Sequence, residues 1–339
     1  MPMSRPPLVT VLLPVRDAER TVARAVESLL EGTLQRVRVL CVDDGSRDGS
    51  RAALEALARQ DARVQVLDSG GQGIVAALNL ALAHADSPFV ARMDADDEAL
   101  PRRLEASVQA LEQDGRLAGV GTGVTLFRED RPVSPSLQAY AAWLNGLTTP
   151  ERLQRECFIE SPLCHPSVCL RREAVVEAGG YAQGDFPEDY ALWLTLLARG
   201  HRLRTLPEVL LRWRDGDTRL SRTDPRYHLK RFTWLKARHL APRLRGLRVT
   251  VWGAGATGLL LTRLLQAEDV AVTRLVDLHP RKLGTRIHGA PVVHPEALGA
   301  PEPGEHLLFS VGAPGAREEC RAFLSARGWV EGAHFTCAA

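Results

Sequence analysis

Two rhythms of hydrophobic and polar positions alternate over roughly the first hundred residues, and they set the element order. VTVLLP (9–14), VRVLCVDD (37–44), VQVLD (64–68) and PFVARMD (88–94) are short apolar runs, each leading into polar residues. Between them AERTVARAVESLL, DGSRAALEALARQ and QGIVAALNLALAHA repeat apolar residues at spacings of three and four. Continuous apolar strands alternating with amphipathic helices predict an α/β fold, a mostly parallel sheet with helices on both faces. Ligands of such sheets bind beyond the carboxyl ends of the strands. Asp17, Asp43, Asp44 and the acidic group Asp94, Asp96, Asp97 and Glu98 fall at those ends.

Beyond residue 115 the rhythm is mixed. VGTGVTLF and SVCLRR (167–172) read as strands, 135–157 as helix with loop, and EDYALWLTLLARG (188–200) as an amphipathic helix. LRTLPEVLLRWR reads as two short strands forming an antiparallel pair, and DPRYHLKRFTWLKARHLA (224–241) as a basic amphipathic helix. A Pro/Arg/Gly stretch at 242–246 marks a boundary, after which LRVTVWGAGATGLLLTRLL starts a fresh strand–glycine–helix pattern. The expected organisation is an N-terminal domain over 1–223, a basic helical linker over 224–245 and a smaller α/β domain over 246–339.

Composition narrows the function classes. The chain has 339 residues, 45% of them hydrophobic, so a sizeable core can form. With 43 Lys+Arg against 41 Asp+Glu, a net charge of +2 provides no global basic field for nucleic acid. Six scattered cysteines without a CxxC pair fit a reducing compartment better than a disulfide framework. The N-terminus lacks the apolar core of a signal peptide, and no apolar run approaches the roughly 20 residues of a membrane span. A cytoplasmic protein is expected. The basic helix 224–241 either packs as a linker or makes peripheral contact with the inner face of an anionic membrane.

The run ARMDADDEALP crowds four acids into positions 94–98 without an interleaved base. Acids ahead of a helix can serve as caps, and Asp97 and Glu98 are expected to cap or support the helix led by Pro101. Asp94 and Asp96 lie two apart at a strand end, where both can face one hard cation, Mn²⁺ or Mg²⁺. In VDDGSRDGS, Asp48 or Ser46 can cap the following helix, while Asp43 or Asp44 can accept a hydrogen bond from a base or a ribose hydroxyl.

PVRDAERTVARAVESLL, VLCVDDGSRDGS, GGQGIVAALNLALAHA, ARMDADDEALPRRLE, LCHPSVCLRREAVVEAGGY and FPEDYALWLTLLARG resemble, in order and spacing, the family 2 glycosyltransferases of the GT-A fold. The resemblance covers roughly residues 8–220 and implies a GT-A fold and an inverting, metal-dependent transfer from a nucleotide-sugar, by family frequency a UDP-sugar. It implies that Pro14, Asp17 and Asp43 or Asp44 surround the nucleoside. Asp94 and Asp96 match the metal-binding D-x-D, with Asp96 the direct ligand, and Asp189 matches the general base. The acceptor implied is a saccharide or lipid-linked hydroxyl in polysaccharide or glycoconjugate synthesis. His165 and Tyr181 flank an acceptor-side segment, with His165 either touching diphosphate or serving as a loop residue. Arg212, Trp213 and Arg214 resemble the basic aromatic segment after the catalytic helix. Leu78 precedes Asn79 where many relatives carry arginine, so that nucleotide contact has no support here. Cys164, His165 and Cys169 match no four-ligand zinc spacing.

Gly253-x-Gly255-x-x-Gly258 follows a strand and opens a helix, with Asp277 about twenty residues later, the context of a dinucleotide fingerprint. Only about ninety residues remain there, too few for a complete dehydrogenase. VDLHPRKLGTRIHGAPVVHPEAL resembles the small Rossmann-like module beside sugar acyltransferases. Gly253, Gly255, Gly258 and Asp277 are therefore a second candidate nucleotide site, set against a structural or docking role. The rivals to a transferase are a nicotinamide-dependent enzyme centred on this motif and a nucleotide-sugar binding or assembly protein without turnover.

Overall fold

The computed structural model describes residues 6–339, and residues 1–5 of the expected first domain lie outside them. The chain divides into two compact units. The first comprises residues up to 154, 162–184 and 188–223; the second comprises 155–161, 185–187 and 224–339.

The first unit is built on an eight-stranded sheet: β1 (Val9–Val15), β2 (Val37–Asp43), β3 (Val64–Asp68), β4 (Phe89–Arg92), β5 (Glu98–Ala99), β6 (Leu117–Phe127), β7 (Cys169–Arg171) and β8 (Arg202–Arg214). Their spatial order is β3-β2-β1-β4-β7-β6-β8-β5. The pairs β1–β2, β1–β4, β2–β3 and β6–β8 are parallel, whereas β7 runs antiparallel to both β4 and β6. The helices are α1 (Val22–Leu30), α2 (Ser50–Gln60), α3 (Ile74–His84), α4 (Arg103–Gln113), α5 (Pro135–Asn145), α6 (Pro150–Glu156, whose last two residues belong to the second unit), α7 (Arg172–Glu177), α8 (Glu188–Ala198) and α9 (Leu220–Thr223). Strands β1 and β2 are buried nearly throughout, as a sheet covered on both faces requires. The mixed α/β architecture with one large, mostly parallel sheet and a smaller second one agrees with the fold class read from the sequence.

Three local expectations are corrected. LRTLPEVLLRWR is one strand, β8, and not an antiparallel pair. Pro207 has no amide to donate, so the register jumps from Leu206 opposite Thr122 to Val209 opposite Gly123 and the strand continues. Gly123 is required at that bulge, since a Cβ there would lie 2.9 Å from the Glu208 carbonyl oxygen. Asp97 and Glu98 do not cap the next helix. Glu98 and Ala99 form β5 along β8, and α4 starts only at Arg103, without a side-chain cap. The basic helix, α10 (Leu229–Leu244), starts after a turn at 225–227 and runs through Pro242, past the expected boundary.

The second unit holds α10, α11 (Ala256–Ala267), α12 (Ala316–Ser325) and a six-stranded sheet. Its strands are β9 (Arg248–Trp252), β10 (Ala271–Val276), β11 (Arg286–Ile287), β12 (Ala290–Val293), β13 (Glu305–Phe309) and β14 (Phe335–Cys337). The order is β11-β12-β10-β9-β13-β14, parallel except for the β11–β12 hairpin. Trp252 packs edge-on against Phe309 and Phe323 in its core. Lys236 of α10 is buried in this unit, with its ammonium donating to the carbonyls of Ile159 and Ala338 at 2.8 and 3.0 Å.

Candidate active site

The carboxyl ends of β1 to β4 lie side by side because all four strands run the same way. Pro14 sits near the end of β1, opposite Val42. Just past β1, Asp17 adopts a positive φ of 50°, accepts the Arg47 amide at 2.7 Å and donates its own amide to Ser46 Oγ at 3.1 Å. Asp43 accepts the Ser46 amide at 3.2 Å and faces Arg51 at 3.7 Å. Asp44 accepts from Ser69 Oγ at 2.7 Å and from the Gly73 amide at 2.9 Å. Gly45 has a φ of 72° and lies against Gly71, whose Cα would be 3.0 Å from a Cβ at 45. The acids Asp17, Asp43 and Asp44 are thus brought to one sheet edge, where each also fixes a neighbouring loop. Asp48 accepts the Ser50 amide at 3.0 Å just ahead of α2, but Gly49 stands at the cap position and no side chain caps that helix, so neither Asp48 nor Ser46 takes the capping role expected of them.

The end of β4 carries the densest charge. Asp94, Asp96 and Asp97 each turn an oxygen inward, and these oxygens all lie within 4.8 Å of one another; among the described residues this is the group of three or more potential metal ligands that gathers. Asp97 is almost wholly buried; one oxygen accepts the Arg214 amide of β8 at 2.7 Å, and the other has no partner. Burial, reinforced by Asp94, pushes the Asp96 carboxyl up to about 6. Burial, with Asp94 and Asp96 beside it, pushes Asp97 well above the ordinary carboxylate range. Oxygen-only donors, mutual repulsion and one orphaned buried oxygen fit a hard divalent cation.

Opposite charge is close but unevenly distributed. Arg92 pairs directly with Asp94. Burial opposes the charge on Arg92, yet the facing Asp94 outweighs it and holds the guanidinium firmly protonated. Arg219 stacks 4.3 Å over the Trp213 ring, and its charge, with that of Arg92 and Arg214, partly offsets the rise at Asp96. Arg212 pairs with Glu98 at 2.6 Å, and Arg214 reaches Glu129 at 2.8 Å. Arg92 and Arg219 were not singled out in the sequence. The signal for Arg92 was present, a charged residue inside the apolar run PFVARMD, where it must be buried and paired.

Asp189 lies in the first turn of α8, half-buried, with its Oδ1 accepting the Tyr190 amide at 2.7 Å. Its charge and that of Glu188 are felt at Tyr181, whose hydroxyl burial pushes above the usual phenol range. Tyr181 Oη lies 3.1 Å from His165 Nε2. His165 is buried in the turn His165–Ser167; burial, then the nearby Arg92, hold it neutral. All six cysteines are buried, with no disulfide among the described residues.

In the second unit the glycine motif has the predicted strand–loop–helix placement between β9 and α11. Gly253 has a φ of 120°, and a Cβ on Gly258 would lie 1.7 Å from the Gly253 carbonyl oxygen. Asp277 at the end of β10 accepts the Ala254 amide at 3.1 Å and pairs with Lys282 at 2.9 Å. Among the described residues no helix is long and apolar enough to cross a membrane.

A family model for glycosyl transferase family 2 matches residues 10–180. The putative glycosyltransferase EpsE of Bacillus subtilis is 29% identical over 236 residues, covering 67% of this chain and 80% of that protein. The amylovoran biosynthesis glycosyltransferase AmsE of Erwinia amylovora is 29% identical over 215 residues, 62% of this chain and 77% of its own. Among solved structures, S. aureus TarS 1-349 in complex with UDP-GlcNAc superimposes with a TM-score of 0.57 at 16% identity, covering 76% of this chain and 71% of that one.

Proposed function

The chain belongs to glycosyl transferase family 2, and we propose that it moves a sugar from a UDP-sugar to an acceptor hydroxyl with inversion. The observation that supports this most is the trio Asp94, Asp96 and Asp97, brought together at the carboxyl end of β4 with one buried oxygen left unpaired. Asp96, and with it Asp94 or Asp97, would hold Mn²⁺ or Mg²⁺. Such a cation offsets the negative charge that develops on the departing diphosphate. Pro14, Asp17, Asp43 and Asp44 border the nucleoside in this reading, at the edge where parallel sheets bind ligands.

Asp189 acts as general base. The acceptor oxygen attacks the anomeric carbon, its proton passes to the Asp189 carboxylate, and the bond to the diphosphate oxygen breaks with the electron pair leaving on UDP. One displacement inverts the anomeric centre. The relative AmsE, named for amylovoran biosynthesis, supports a role in polysaccharide assembly, and the acceptor in this reading is a saccharide or lipid-linked hydroxyl. That acceptor class is compatible with peripheral contact at a membrane surface.

For the second unit we infer that Asp277 serves structure. Its carboxylate, the group that would accept a ribose hydroxyl, already holds the Ala254 amide and Lys282.

Thermal-shift measurements of UDP and UDP-sugars, with and without Mn²⁺, test the donor reading. Stabilisation that requires both nucleotide and metal and disappears in Asp96→Ala is expected; its absence from the wild type sinks the reading. Asp189→Asn should preserve that stabilisation while lowering turnover about a hundredfold to a thousandfold. A variant with unchanged turnover removes Asp189 from the base role.

A further inference from the structure

Three polar side chains near the carboxylate cluster are buried: Arg92, which pairs with Asp94, and His165 and Tyr181. A guanidinium, an imidazole and a phenol are costly core fillers, and apolar side chains would pack the same volume more cheaply. Arg92 even keeps its Nε buried and unpartnered. The question is what this polarity holds in place.

The backbone around them is tied at both ends. The Arg92 amide donates to the Val168 carbonyl at 3.0 Å. Arg103 of α4, itself buried, donates from one nitrogen to the carbonyls of Arg92 and Pro166 at 2.5 and 2.6 Å. The end of β4 and the turn His165–Ser167 are therefore one unit. From that turn His165 reaches Tyr181 Oη at 3.1 Å. The Tyr181 peptide is clamped by Asn79 of α3, whose Oδ1 accepts its amide at 2.9 Å and whose Nδ2 donates to its carbonyl at 2.8 Å. Gly180 must be glycine beside this clamp, because φ is 72° and a Cβ would lie 2.7 Å from Asn79 Oδ1. On its other side, His165 meets the ring of Trp193 at 5.8 Å, edge to face. Trp193 is four residues after Asp189 on α8, so the two share a helix face.

We propose that Arg92, His165 and Tyr181 are positioning residues, a buried polar bridge that holds the Asp94–Asp97 cluster and the first turn of α8 in one fixed relation. The proposal rests on the transferase reading with Asp189 as base. A displacement of about 1 Å between base and donor site is enough to cost a hundredfold in rate, so a rigid tie between them is worth its buried polarity. The neutral imidazole offers one donor and one acceptor, which suits a link between a phenol and its surroundings.

Tyr181→Phe removes only the hydroxyl, and His165→Gln can still meet that hydroxyl whereas His165→Leu cannot. In the full chain, UDP release from UDP-glucose, UDP-galactose and UDP-GlcNAc with Mn²⁺, together with hydrogen exchange of residues 179–189 with and without UDP and Mn²⁺, tests the bridge. Tyr181→Phe and His165→Leu should lose at least tenfold in kcat with KM for donor changed less than twofold, and His165→Gln should retain more kcat than His165→Leu. UDP with Mn²⁺ should slow exchange at 179–189 in the wild type and fail to do so in Tyr181→Phe. Wild-type kcat in Tyr181→Phe, or exchange protection that survives the substitution, overturns the bridge alone. A wild type that shows no UDP and Mn²⁺ binding at all overturns the donor reading, and the bridge with it.

Discussion

At the end of β10, Asp277 meets an ammonium at 2.9 Å and a backbone amide at 3.1 Å; at the end of β4, Asp97 keeps one buried oxygen without a partner. Both places lie at strand ends of mostly parallel sheets, and both bear acids. Their electrostatics point in opposite directions. Burial raises the Asp277 carboxyl, but Lys282 together with the His279 and Ala254 amides outweighs it and the group is lowered, whereas burial and neighbouring acids raise Asp96 to about 6. A satisfied carboxylate holds its own loop, whereas a buried carboxylate left at a cost is one that a bound cation would relieve. The same residue type therefore carries different roles according to which cations the fold brings to it.

The contrast breaks most visibly at Asp96. Asp96→Ala should lower UDP release from a UDP-sugar about a thousandfold, since the site loses the carboxylate proposed as the direct cation ligand. Loss below tenfold would mean that Asp94 and Asp97 suffice. In the second unit the largest effect falls on stability. Gly258→Ala forces a Cβ within 1.7 Å of a backbone oxygen, and chemical denaturation should show a loss of about 3 kcal/mol or more. Wild-type stability in that variant would show that the glycine loop yields easily.

The two acids also predict opposite pH dependences. A carboxyl raised in the folded state is disfavoured once ionised, so the cost of Asp96 is fully present above about pH 6 and vanishes below the unfolded value near 4. Metal-free wild-type protein should gain of the order of 1–2 kcal/mol relative to Asp96→Asn between pH 7 and pH 4.5, and saturating Mn²⁺ with UDP should abolish that difference. Identical pH profiles of wild type and Asp96→Asn would remove burial as the cause. Asp277 runs the other way: its lowered carboxyl contributes stability above about pH 4 that is lost as acid protonates it. The smallest effect is expected there. Asp277→Asn should cost about 0.5–1 kcal/mol at neutral pH and leave UDP release unchanged, as calorimetry and turnover can check. A strong loss of turnover would give that carboxylate a role in the reaction.

Much of the first unit was legible because its signals are local. The four apolar runs became β1 to β4 within a residue or two, and the spacing of three and four placed α1 to α3. Asp96 and Asp189 were legible as candidates through their motifs, and their roles are proposals. The roles of Asp97 and Glu98 were not. Asp97 answers to Arg214, 117 residues away, and Glu98 to Arg212, 114 residues away, and nothing in DADDE announces either partner. The same holds for Arg92, whose neighbours Tyr181 and His165 come from distant segments. β8 was misread as a pair of strands because a proline ordinarily ends a run, whereas here Gly123 on the adjacent strand admits a bulge.

Residue order by itself determined the alternation of strands and helices, the glycines that turn the chain between them, and the acids at their carboxyl ends, because each depends on neighbours a few residues away. Only the tertiary structure decided which acids would be paired and which left in need. A carboxylate's partner is set by the cations and amides that folding brings within about 3 Å. Asp97 found the Arg214 amide 117 residues on, and Glu98 found Arg212 114 residues on.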